Sequence, residues 1–203
     1  MIAGMLRTVR LVSLALLLLA AAARAQGPEV GTLLVARPAL EDPNFSESVL
    51  FIVYHDSNGS LGIFLNRPTN LRPSRVFPEV EAFAGYTDSV FYGGPLEPRQ
   101  VLVLLRDPPP GSVAGDPVIE DVYITADASV VERLGSRVGV ERVRLYAGHA
   151  AWGPGQLQGE IDSGDWSLVP GHVDLVFAAE PLELWRATAT RPDALIASRG
   201  EPN

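Results

Sequence analysis

The chain has no cysteine among its 203 residues. Disulfides, thiolate nucleophiles and cysteine-ligated zinc or iron–sulfur sites are therefore excluded, and so is lipid anchoring through a cysteine. Histidine is almost as scarce. His55, His149 and His172 are the only three, and no two of them stand at metal-ligand spacing, so no metal is expected. Positive charge is also short, with 16 basic residues against 24 acidic ones and a formal net charge of −8. Arg7, Arg10 and Arg24 fall in the first 25 residues, which hold no acid. The remaining 13 basic and 24 acidic residues give −11. No run of basic residues reverses that field locally. Such a surface repels phosphate backbones and anionic membranes, so nucleic acid is not an expected partner. The G-x-G-x-x-G, Walker and G-x-S-x-G patterns are missing, as is an Arg-Arg pair. No cofactor is implied and no catalytic residue is assigned, because no complete catalytic constellation stands in the sequence.

What is present begins with a targeting segment. Met1 to Arg10 carries two arginines, Leu11 to Ala23 is almost wholly apolar, and Ala23-Arg24-Ala25 puts small residues at −3 and −1 before Gln26. That is the three-part pattern of a secretory signal peptide, with cleavage expected near Ala25. The apolar run is shorter than the roughly 20 residues a spanning helix needs. An uncleaved anchor and a start placed too far upstream are the two alternatives. Residues 26–189 are then read as one domain, and the polar, breaker-rich residues 190–203 as a fraying tail.

Within the domain, Gly31 to Arg37 reads as a strand stopped by Pro38. Ser48 to His55 is a near-continuous apolar run, expected to be a strand covered on both faces. Asp56 to Ser60 carries an Asn-Gly turn, and Leu61 to Asn66 is the returning strand of a hairpin ended by Pro68. A short helix is expected within 73–84, and Phe91 to Pro98 is a tight glycine-rich loop leading into a strand at Gln100 to Leu105. Asp107 to Pro117 is rich in proline and glycine. A strand at Val122 to Thr125 precedes a helix near Ser129, where Ser129 and Glu132 have capping-box spacing. Val143 to Ala147 reads as a strand. Gly153-Pro154 opens a short helix with Leu157 and Ile161 on its buried stripe and Gly164 as C-cap. Strands at Trp166 to Val169 and Val173 to Phe177 and a last helix at Pro181 to Ala189 complete the reading. Hairpins mixed with helices, without βαβ alternation, argue for an α+β fold.

Several segments together resemble the YqgE/AlgH family. They are Asp42-Pro43-Asn44-Phe45, His55, Leu65-Asn66-Arg67-Pro68, Phe91-Tyr92-Gly93-Gly94-Pro95-Leu96, and Tyr146 through Leu157 followed by Glu160-Ile161 and Gly164-Asp165-Trp166. The match runs in order from about Gly31 to Arg186. The resemblance implies a single compact domain built on a mixed, barrel-like sheet with flanking helices, and it brings no established reaction. Some members carry a transcriptional-regulator label. This chain departs from the pattern in its export signal and at His149 and Ala151, where the family usually has a tyrosine and a glycine.

The candidate binding residues are Asn66, Arg67, Gly93, Gly94, His149, Trp152, Gly153 and Gln156. Arg67 can present its planar fork to a carboxylate or phosphate, or it can pair with Asp42 or Glu97 while Asn66 ties off loop backbone. Gly148 to Gly155 can let a ligand approach backbone N–H groups, or its glycines can permit close packing around a core Trp152. Glu160 reads as a solvated glutamate, and the serines at 57–60 read as turn residues. The expectation is a non-enzymatic binding or interaction protein of the cell envelope. Two alternatives are a cytosolic regulator acting through a protein partner, and a hydrolase or transferase pairing His55 or His149 with Glu160 or Asp42.

Overall fold

Chain segments that are apolar on successive residues must find cover on both faces, and the second strand shows how this protein does it. The computed structural model describes residues 27–86, 88–108, 115–134 and 142–189. The expected signal segment, the expected tail and most of the Pro/Gly-rich 107–117 stretch lie outside the described residues. Strands β1 (Thr32–Ala36), β2 (Val49–Asp56) and β3 (Gly59–Phe64) form an antiparallel meander. Val49 to Val53 are all buried. Val49, Phe51 and Val53 enter one apolar cluster, while Leu50 and Ile52 enter another on the opposite face.

Six more strands follow: β4 (Phe91–Tyr92), β5 (Leu96–Arg106), β6 (Asp116–Ile119), β7 (Val122–Thr125), β8 (Val143–Trp152) and β9 (Trp166–Pro170). They hydrogen-bond in the order β6-β7-β5-β8-β3-β2-β1-β9, and β4 joins β8 as the one parallel pair. The sheet curls until its two ends approach. A Cβ on Gly31, just before β1, would lie 2.5 Å from Cγ2 of Ile119 in β6, so this seam accepts only glycine. Leu33, Val35, Phe51 and Ile63 from one half thereby meet Leu102, Leu104, Ile124 and Tyr146 from the other. The result is a half-barrel with an apolar interior.

Among the described residues, five short α-helices surround it: α1 (Pro73–Val76), α2 (Ser129–Leu134), α3 (Gln156–Ser163), α4 (Val173–Val176) and α5 (Leu184–Ala189). Val176, Phe177 and Leu184 complete the interior cluster. Outside the sheet, Phe77, Phe83, Val130 and Val131 pack on Val103, Leu105, Val143 and Leu145. The other outer cluster sets Leu157 of α3 against Leu50, Phe64, Trp152 and Trp166.

Four local expectations are corrected. Val173–Val176 is helical, not a strand. Val173, Val176 and Phe177 recur at i, i+3 and i+4, and the His172 ring at the N-cap accepts the Asp174 N–H at 3.3 Å. Strand β8 runs on through Trp152 rather than ending at Ala147, so five of the eight residues from Gly148 to Gly155 are sheet. Strand β6 contains Pro117, which an edge strand tolerates because its N–H side needs no partner. Asp127 rather than Ser129 caps α2, its carboxylate accepting the Ser129 N–H at 3.0 Å and hydroxyl at 2.6 Å.

Candidate functional site

Asn66 ends up buried at 6% exposure, and its side-chain amide replaces a missing strand. Oδ1 accepts the Val49 N–H at 2.9 Å, and Nδ2 donates to the Glu47 carbonyl at 2.9 Å. Two backbone groups at the entry to β2 are satisfied in this way. Arg67 pairs with neither Asp42 nor Glu97. Its Nη2 donates to the Ser46 carbonyl at 2.9 Å, and its guanidinium lies 5.5 Å from the Phe64 ring centroid. Asp42 instead closes its own turn, accepting the Asn44 N–H at 2.8 Å. That turn lowers Phe45 onto Phe64, Trp166 and Trp152, with ring centroids 5.6, 5.9 and 6.4 Å away. Tyr92 stacks on the same Phe64 at 5.6 Å and stays 39% exposed.

The Gly93-Gly94 pair faces β8. A Cβ on Gly93 would strike the Gly148 carbonyl, and one on Gly148 would lie 2.6 Å from the carbonyls of Gly94 and Leu96. Gly148 also has φ +73°, a left-handed conformation in mid-strand that re-aims the residues after it. His149, opposite Leu96, is buried at 8% exposure. Its Nδ1 has no hydrogen-bond partner among the described residues. Close strand packing is what these glycines serve here.

Trp152 is buried, and its indole N–H donates to Glu160 Oε2 at 2.8 Å. The indole of Trp166 donates to the same oxygen at 2.9 Å. Gln156 Nε2 donates to Glu160 Oε1 at 3.0 Å, while Gln156 Oε1 accepts the Gly153 N–H at 3.1 Å. Glu160 is thus not a merely solvated glutamate; it ties α3 to two strands. Trp152, Gly153 and Gln156 come together through it. The fold therefore separates the eight candidates into three groups. Asn66 and Arg67 hold the backbone of residues 46–49, Gly93, Gly94 and His149 lie where β4 and the start of β5 meet β8, and Trp152, Gly153 and Gln156 lie around α3.

Sequence reasoning missed Arg144, which points into the half-barrel at 3% exposure. Nη1 donates to the Val176 carbonyl at 3.1 Å and Nη2 to the Ala178 carbonyl at 2.6 Å. The guanidinium also lies between the rings of Phe91 and Phe177, at 5.0 and 5.3 Å. Only its odd position inside an apolar run hinted at this. Nearby, burial pushes the Tyr146 phenol up to about 12, with the Arg144 charge pulling the other way. Its hydroxyl makes no bond of proper hydrogen-bond geometry among the described residues.

The proposed base–carboxylate pairs are not formed. His55 Nδ1 meets Ser60 Oγ at 2.8 Å, His149 has the orphaned nitrogen just described, and Glu160 is engaged by indoles. No group of three or more His, Asp or Glu side chains is placed to hold a metal ion among the described residues. Asp56 is held below the usual carboxylate range by the Tyr54 hydroxyl at 2.6 Å and the Asn58 N–H at 2.7 Å. Among the described residues, two surface clefts stand out. One of about 300 Å³ lies at the seam between Val30, Ile119, Leu168 and Pro170. The other, of about 140 Å³, lies between the β2–β3 turn and the start of α3.

Residues 33–194 match the family model described as AlgH-like. A UPF0301 protein of Thioalkalivibrio sulfidiphilus is 35% identical over 161 residues, covering 78% of this chain and 86% of the relative. A UPF0301 protein of Streptomyces avermitilis is 36% identical over 165 residues, covering 79% and 85%. Among solved structures, protein DIP2367 of Corynebacterium diphtheriae superposes with a TM-score of 0.68 at 27% identity, over 86% of this chain and 93% of that one. The AlgH protein of Pseudomonas aeruginosa gives a TM-score of 0.66 at 23% identity, over 89% and 98%, a likeness of fold.

Proposed function

The chain belongs to the AlgH-like family, and from that premise we propose that it is a binding or interaction protein whose partner surface centres on Arg67 and Tyr92. The observation that carries the reading is the support under those two side chains. Tyr92 stacks at 5.6 Å on Phe64 while remaining 39% exposed, and the Arg67 guanidinium lies over the same buried ring. Tyrosine and arginine are the side chains that dominate binding energy at protein interfaces. Held by a buried ring, they lose little further freedom on binding. Recognition rather than catalysis is the role proposed for this surface.

The reading places the protein outside the cytoplasm, after removal of residues 1–25. What supports that is the basic, apolar and small-residue pattern of Met1 to Ala25.

The test compares crosslinked partners of wild type and Tyr92→Ser recovered from native cells. Tyr92 is 39% exposed, so the substitution is expected to lower the thermal midpoint by only a few degrees and leave the chain folded while removing captured partners. If Tyr92→Ser and Arg67→Lys both retain every partner of the wild type, the surface lies elsewhere.

A further inference from the structure

The second cleft carries chemistry that the Arg67–Tyr92 surface does not use. His55 and Ser60 are directly opposed across the β2–β3 hairpin. His55 is exposed at the strand end, whereas Ser60 is buried at 6% exposure. Ser60 Oγ lies 2.8 Å from His55 Nδ1. Both side chains line the cleft of about 140 Å³, together with Asp56, Gly153, Leu157 and Gln158. A hydroxyl hydrogen-bonded to an imidazole nitrogen, at the wall of a cleft, is the minimal arrangement for an activated serine.

We propose that His55 and Ser60 form a nucleophilic dyad that transfers the acyl group of a small, uncharged carboxylic ester to water. With its proton on Nε2, His55 accepts the Ser60 hydroxyl hydrogen at Nδ1. Ser60 Oγ attacks the carbonyl carbon, its proton passes to Nδ1, and the carbonyl π pair moves onto oxygen. Collapse of that adduct breaks the bond to the leaving oxygen, which takes the proton from Nδ1 and departs as the alcohol. Water then repeats both steps on the acyl-serine, giving the acid and restoring Ser60.

The surroundings select the substrate. The cleft volume admits an acyl group of only a few carbons. The Asp56 carboxylate in the wall repels anionic substrates. Helix α3 starts beside the cleft with Gly155 as N-cap, no side-chain cap and no acid in its first turn. Its positive end, at Gly155 in the cleft wall, would favour a developing oxyanion there. This site shares no residue with the Arg67–Tyr92 surface, so its failure would leave the binding proposal standing.

The test treats the full chain with a small alkyl fluorophosphonate, in which Ser60 Oγ displaces fluoride from phosphorus. The expected result is one adduct, mapped by peptide mass spectrometry to Ser60 and not to the exposed Ser57 two residues beyond His55. His55→Gln should slow labelling by about 100-fold or more, and Ser60→Ala should abolish it. Hydrolysis of p-nitrophenyl acetate by the wild type should fall in parallel in both variants. No adduct on Ser60 of the wild type would overturn the dyad, and that result needs no variant to fold. So would a labelling rate that His55→Gln leaves within a few-fold, or labelling of Ser57 as fast as Ser60.

Discussion

Glu160 on helix α3 holds Trp152 on strand β8 by its indole nitrogen, at 2.8 Å. The same carboxylate oxygen takes the indole of Trp166 from β9, so one acceptor serves two buried donors from opposite sides of the outer core. Glu160→Ala leaves both N–H groups without their partner. The expected loss is about 2–4 kcal/mol of unfolding free energy, while Glu160→Gln, which keeps one carbonyl oxygen, should lose about 1 kcal/mol. Urea denaturation followed by tryptophan fluorescence measures both. Equal losses for the two variants would mean that the acceptor is not what matters.

Gly148 and Gly155 share a φ of +73° but differ in what surrounds them. A Cβ at Gly148 meets two carbonyl oxygens at 2.6 Å, whereas none lies within 4 Å of one at Gly155. Gly155→Ala should therefore cost about 1 kcal/mol, the left-handed penalty alone. Gly148→Ala adds a backbone collision that no rotamer relieves and should cost more than about 3 kcal/mol. Thermal midpoints of the two purified variants decide it, and near-equal values would contradict the strand crossing.

Tyr146 yields a prediction with a pH sign. Its phenol is raised from 10.0 to about 12 by burial. The folded state therefore keeps a proton that the unfolded chain loses above pH 10, and stability must fall as pH rises from about 10 to 12. Two units correspond to about 3 kcal/mol. Tyr146→Phe should remove that part of the alkaline loss. At pH 7 it should be within about 1 kcal/mol of wild type, because the hydroxyl it deletes has no well-formed hydrogen bond. Denaturant titrations of both proteins at pH 7, 10 and 12 give the comparison.

The export reading predicts a mature chain beginning near Gln26 in the envelope fraction of native cells. Intact-mass spectrometry after fractionation reads it directly. A cytosolic chain that still starts at Met1 would remove the proposed location and make the intracellular alternative the one to pursue.

The elements most legible in the sequence were those written locally. The unbroken apolar run of β2 announced two covered faces, and its Asn-Gly turn announced the hairpin to β3. The i,i+4 pair Leu157 and Ile161, with Gly164 beyond them, marked α3 and its left-handed end. Val173 to Phe177 misled because four apolar residues broken only by Asp174 suit a short strand or a helix turn equally, and only packing distinguishes them. Of the candidate site, the structural roles weighed for Asn66 and for the glycines were readable, but their partners were not. Arg67 was expected beside an acid and sits beside a carbonyl and a ring.

By itself, then, the amino-acid order determined the cysteine-free chemistry, the net negative charge, the hairpin and the family. The first three depend on composition or on residues within a few positions of one another, and the family on short motifs kept in order along the chain. Only the tertiary structure decided that Glu160 serves two tryptophans, that Arg144 lies inside the half-barrel, and that His55 and Ser60 share a cleft with α3. The first joins strands near in the chain but separated by three others in the sheet, and the other two join segments far apart in the chain. They depend on sheet order, on the bulge at Gly148 and on the curl that closes at Gly31, and no local pattern encodes any of these.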